Sequence, residues 1–95
     1  MSEKHKIMTL HPAGKKGVKI DLAKYEQIKS FLLDVIEVAK QISFQELSEV
    51  ALESLKDTFD GKVLWYVVTV KLDLEARNLI ERVPKTSPHE LRLVK

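Results

Sequence analysis

Five polar side chains recur along one line of an otherwise apolar stretch: Lys62, Tyr66, Thr69, Asp73 and Arg77, spaced four, three, four and four residues apart. At about 100° per residue, that spacing sets them on one side of a helix. Their types suit a polyanion. Lys62 and Arg77 carry positive charge, while Tyr66 and Thr69 donate from hydroxyls to phosphate oxygens. Asp73 dissents, because a carboxylate beside phosphates is repelled unless it accepts from a cytosine amine. The competing account is simpler: any amphipathic helix needs one wet face. Trp65 and Tyr66 have rings on which bases stack, although a tryptophan at this spacing is more often a core or interface residue.

Downstream, Arg82, Lys85, His89 and Arg92 can straddle a phosphate backbone, each neutralised phosphate adding a salt-dependent increment to binding. An acidic stripe, Glu46, Glu49, Glu53 and Asp57, argues the other way. Four carboxylates facing a duplex would be costly, which turns the reading toward a protein-interaction or self-association role. Gly14-Lys15-Lys16-Gly17 matches the G-x-x-G string of loops that clamp nucleic acid, but those loops join two helices and the upstream piece here is short and strand-like. It reads better as a basic hairpin tip, still able to touch phosphate. Catalysis finds little footing. His5, His11 and His89 sit in termini or loops without metal-ligand spacing, and no G-x-S-x-G nucleophile motif occurs. The expectation is a non-enzyme without metal or cofactor.

The totals bound the rest. A chain of 95 residues makes one domain, near the low end of what one hydrophobic core can hold together. It contains no cysteine, which excludes disulfides, thiolate metal sites and thiol nucleophiles and suits a reducing cytoplasm. No apolar segment follows the first lysines, so a secretory signal is not expected. The longest apolar run, Val63 to Val68, falls far short of the roughly 20 residues a bilayer requires. Net charge is only +2, but it is unevenly spread. Residues 1–24 hold six lysines against Glu3 and Asp21 (+4), residues 25–76 five lysines against ten acids (−5), and residues 77–95 five basic residues against two acids (+3). Basic ends around an acidic middle favour a localised anionic partner.

The elements follow from periodicity and punctuation. Ile7–Leu10 and Val18–Ile20 read as strands around a Pro- and Gly-containing turn. Asp21 caps a helix running from Leu22 to Lys40, with Tyr25, Ile28, Leu32, Val35, Ile36 and Ala39 at helical spacing. Phe31, Leu33 and Val38 widen its apolar stripe, implying contact with a second surface, either the hairpin or another subunit. Ile42-Ser43-Phe44 makes a short strand, and Ser43 with Glu46 forms a capping box. The helix it opens runs to about Thr58, burying Leu47, Val50, Ala51 and Leu55, and Phe59 is expected to pack under the Asp60-Gly61 turn. Val63–Val70 has strand composition. It continues without a turn signal into Lys71–Arg77, and the combined length is excessive for a strand. A third helix is therefore expected, with an extended strand as the alternative. Asn78 tolerates the left-handed conformation that ends helices. Strands Leu79–Val83 and Leu91–Val94 then flank a loop with two prolines.

This order resembles the winged helix-turn-helix: from Ile42 to Val94 it looks like that fold, with Leu74 in the core, helix three as recognition helix and a C-terminal two-stranded wing. The whole chain also resembles a family of small uncharacterised prokaryotic proteins, through LHPAGKKGVKID, ISFQELSEVALESL and DGKVLWYVVTVKLDLEARNLIERV. The resemblance implies an α+β fold of three helices, a wing and an extra N-terminal β-hairpin, and no particular activity. One domain is expected over residues 1–95: an arm or hairpin at 1–20, a three-helix core at 21–78 and the wing at 79–95. The site expected is Lys62, Tyr66, Thr69, Asp73, Arg77, Arg82, Lys85 and Arg92. The expected partner is double-stranded DNA, as for a small transcription regulator, or alternatively a second copy or a protein partner, with no membrane.

Overall fold

The computed structural model describes residues 5–94; Lys4 and Lys95, counted above in the basic ends, lie outside them. The chain runs β1 (Lys6–Met8), β2 (Lys19–Asp21), α1 (Leu22–Ala39), β3 (Ile42–Ser43), α2 (Phe44–Leu55), α3 (Val63–Ala76), β4 (Ile80–Val83) and β5 (Glu90–Leu93). This is an α+β architecture of three helices and two small antiparallel sheets, β1-β2 and β3-β5-β4, among the described residues.

Helix α1 is the axle. Its Asp21 cap accepts from the Lys24 backbone N–H at 3.1 Å, satisfying a donor that the first turn leaves orphaned. Tyr25, Ile28, Leu32 and Ile36 are buried at helical spacing. Phe31, Leu33 and Val35 pack partly buried against the same core. The broad apolar stripe thus has an internal cause: α1 touches the β1-β2 hairpin, both other helices and β5. Val38, 83% exposed, and Ala39 at the end of the helix are left without cover.

Ser43 Oγ accepts from the Glu46 N–H at 3.1 Å and starts α2. Helix α2 ends at Leu55, earlier than its pattern suggests, because Phe59 turns inward with its N–H on the Leu55 carbonyl. Val63 to Ala76 is helical despite its valines. Val63, Val67, Val70 and Leu74 all face the core, and burial along one helical line outweighs a modest local preference for strand. The helix closes in a Schellman motif: Asn78 adopts a φ of 64°, its N–H meets the Glu75 carbonyl, and the Leu79 N–H meets that of Leu74.

The N-terminal hairpin is held by Thr9, whose hydroxyl donates to the Val18 carbonyl at 2.9 Å and accepts from the Val18 N–H at 3.0 Å. Gly17 is obligatory, since a Cβ there would stand 1.8 Å from the Thr9 carbonyl oxygen. In the other sheet, Ile42 pairs with Leu91, and Ile80 with Leu93. Ile42, Ile80 and Leu91 join the core, which welds this sheet to the helices.

Candidate functional site

The expected polar ridge of α3 does not remain on the surface along its length. Lys62, at the N-cap, is exposed; Tyr66 and Thr69 are half-buried. Asp73 is fully buried, which removes it from any nucleic-acid contact. Its carboxylate accepts from the Tyr25 hydroxyl, from the Leu10 N–H at 2.8 Å and from Arg77 Nε at 2.8 Å and 3.0 Å. The physical reason is coverage: the loop after β1 lies over this part of α3 and needs an acceptor there. Burial, reinforced by the hydrogen bond to Asp73 and its negative charge, holds the Tyr25 phenol above its ordinary range. Arg77, about a third exposed, is engaged with the same carboxylate and raised by that bond. The lower ridge is therefore a clasp joining α1, the hairpin and α3.

The C-terminal hairpin also keeps much of its charge paired. Arg92 Nε donates to Glu81 at 2.6 Å, directly across the strands. Arg82 stands 3.6 Å from Glu75, and Lys85, at the turn, is exposed. His89 is not a phosphate contact: its ring stacks on Phe44 with centroids 5.6 Å apart, and its Nε2 is buried without a hydrogen-bond partner. Nearby, Lys71 is 3% exposed, with Nζ 2.5 Å from Glu75 and 5.0 Å from the Phe44 ring centroid. Burial lowers the Lys71 ammonium, partly offset by Glu75. Burial and the two cations Lys71 and Arg82 push the His89 imidazole below its usual value. Only the i,i+4 spacing of Lys71 and Glu75 signals this cluster in the sequence.

What the structure brings together instead lies at the other end of α3. A groove of about 410 Å³ is lined by Lys6 and Lys19 of the hairpin, Lys24 of α1, and Trp65 and Tyr66 of α3, with Asp21 and Asp60. Trp65 is 46% exposed, so it is not a core residue. Phe59, Tyr66 and Trp65 form a ladder of edge-on contacts, each step 5.0 Å between centroids. Lys24 Nζ lies 5.7 Å from the Tyr66 centroid. The excess of lysines before residue 25 was the sequence signal for this surface; its position against α3 had none. Leu64 and Val68 of α3 are exposed beside Trp65. The acids of α2, Glu46, Glu49 and Glu53, and Asp57 in the turn after it, are all exposed. A larger depression of about 650 Å³, between α1 and the C-terminal hairpin, balances Lys40 and Arg92 against Glu37 and Glu81. Among the described residues, no group of three or more His, Asp or Glu side chains is placed to hold a metal ion. No helix there is long and apolar enough to cross a membrane.

Residues 6–91 match the model of a family of unknown function (DUF6958), and the chain belongs to that family. No curated protein and no solved structure matched the chain.

Proposed function

We propose that this protein is a winged-helix domain that binds nucleic acid chiefly through phosphates. The fold reading is supported by chain order. Helix, short strand, helix, helix and two strands follow one another from α1 to β5, with the first strand pairing outside the last. The β4-β5 hairpin is then the wing. The observation that carries the function is the shared groove: three lysines, one each from β1, β2 and α1, converge on an exposed tryptophan at the start of α3. Cations beside an aromatic platform suit a phosphodiester chain. Residues 5–24 hold five lysines in all against Asp21 alone, the further two being Lys15 and Lys16 at the exposed hairpin tip. Base-edge reading by α3 is a minor part of this function, since Thr69 is half-buried and Asp73 is unreachable. The acids of α2 keep that helix away from the bound backbone.

The test is a titration of mixed-sequence duplex and single-stranded oligonucleotides at low salt, followed by backbone amide shifts. Perturbation should concentrate at Lys6, Lys19, Lys24 and the first turns of α3. Silence from both ligands removes the reading. A second reading, self-association, is favoured by Leu64, Trp65 and Val68, which are 46%, 46% and 43% exposed on one side of α3. Contiguous apolar surface of this kind marks contact sites. Light scattering over a concentration series separates the two, since a strict monomer excludes it.

A further inference from the structure

We infer that the groove between the β1-β2 hairpin and α3 is a single-strand site, in which Lys6, Lys19 and Lys24 hold phosphates while an unstacked base rests on Trp65. This rests on the nucleic-acid reading above and narrows its ligand.

The platform is anchored. Phe59 is buried, Tyr66 meets it edge-on at 70°, and Trp65 meets Tyr66 at 80°. The ladder depends on Gly61, whose φ is +144° and where a Cβ would stand 3.0 Å from Tyr66 Cε2 and 3.1 Å from Phe59 Cε2. One perpendicular contact leaves much of the indole open to a second ring, as its exposure of nearly half confirms. Bases in a duplex stack on one another and offer no free face, whereas every unpaired base has one.

The two acids in the groove offset part of the charge of its three lysines and leave a net +1. Asp21 is directed to the α1 N-terminus, where it accepts from the Lys24 N–H as the cap. Asp60 is fully exposed and 3.9 Å from Lys24 Nζ, a long surface pair that contributes little and yields readily to phosphate. Lys6 and Lys19 have no carboxylate within ion-pair distance among the described residues.

Trp65 is the chain's single tryptophan, so its fluorescence reads the site directly. A short deoxythymidine oligonucleotide and a mixed-sequence duplex of equal length are titrated at low salt into the full chain. The single strand should quench Trp65 and bind more tightly than the duplex. Three phosphate contacts predict a log–log salt slope of about −2, from about −0.7 for each. Trp65→Ala should weaken binding roughly 5- to 150-fold, and the double variant Lys6→Ala, Lys19→Ala should flatten the salt slope. Circular dichroism checks that each variant folds, and wild-type quenching decides the matter if one does not. Saturating single strand that leaves Trp65 undisturbed overturns the inference. Should the duplex bind while the single strand does not, this site is wrong and the nucleic-acid reading stands; should neither bind, both fall. A fluorescence change that tracks protein concentration alone marks self-association and overturns it too.

Discussion

Replacing Tyr25 with phenylalanine removes one oxygen from the clasp that joins α1, the N-terminal hairpin and α3. The hydroxyl donates to Asp73, and both residues are buried. In the variant Asp73 keeps the Leu10 N–H and Arg77, so the carboxylate is not stranded. The loss is therefore that of one hydrogen bond to a charged acceptor, about 1.5–3 kcal/mol. An unfolding entropy of about 2.1 cal/mol/K per residue amounts to about 0.2 kcal/mol/K for a chain this long. The melting temperature at neutral pH should then fall by about 8–15 °C. The pH dependence supplies a second, independent signature. Unfolded, the phenol loses its proton near pH 10; folded, burial and Asp73 hold the proton to higher pH. Above pH 10 the unfolded chain binds fewer protons than the folded one, so stability declines as pH rises. The contribution is complete below that pH and is lost as the folded phenol ionises. Thermal melts by circular dichroism from neutral to strongly alkaline pH should show wild type and Tyr25→Phe converging above pH 10. A variant that melts within a degree or two of wild type, with a parallel pH curve, refutes the clasp.

Three further perturbations probe other parts of the molecule. The His89 imidazole is held below its usual value, so the unfolded chain takes up a proton first as pH falls below about 6.5. Stability should drop through that window toward the lower folded value, and the urea midpoint of His89→Phe should depend less on pH there; equal dependence counts against the buried ring. Leu74→Asp sets an unpaired charge at a position with no exposure. That removes all or most of the roughly 5–14 kcal/mol expected for a chain this size, so a cooperative melt at the wild-type temperature contradicts the packing. Gly17→Ala drives a Cβ into the Thr9 carbonyl, which should open the hairpin, expose the Thr9 and Leu10 amides to hydrogen exchange and weaken oligonucleotide binding. Unchanged protection of both amides would show that the two strands do not approach so closely.

Most of the element order was legible because local signals carried it. Asp21 and Ser43 cap helices in the positions their residue types suggest, and Asn78 ends α3 with a positive φ. The third helix carries conflicting local signals, since eight residues of strand composition precede good helix formers. Its length and the absence of a turn signal decided for a helix, and the burial of Val63, Val67, Val70 and Leu74 on one side shows why that was sufficient. Strand ends moved by a residue or so, as in β1, which stops at Met8 because Thr9 and Leu10 turn their polar groups to Val18 and Asp73.

The candidate site was less legible, for a reason that lies in tertiary packing. A helical wheel says which side chains share a face, but not what lies against it. Lys62, Tyr66, Thr69, Asp73 and Arg77 do form one line, yet the segment after β1 covers its lower half and takes Asp73 as an acceptor for the Leu10 N–H. That cover comes from the N-terminal hairpin, the part of the chain outside the minimal three-helix plan, so no reading of α3 alone could place it. The same docking carries Lys6 and Lys19 to Trp65 and Tyr66. One packing event thus buries the acid that a polyanion would repel and adds two cations beside the upper ridge, where Lys62 is exposed. If the hairpin were displaced, Asp73 would be uncovered as Lys6 and Lys19 left, so stability and oligonucleotide affinity should fall together in variants that open the hairpin, such as Gly17→Ala, whereas Lys6→Ala with Lys19→Ala should lower affinity alone. A variant that opens the hairpin yet leaves the Tyr25–Asp73 contact and its pH signature intact would show that the two roles do not share one packing event.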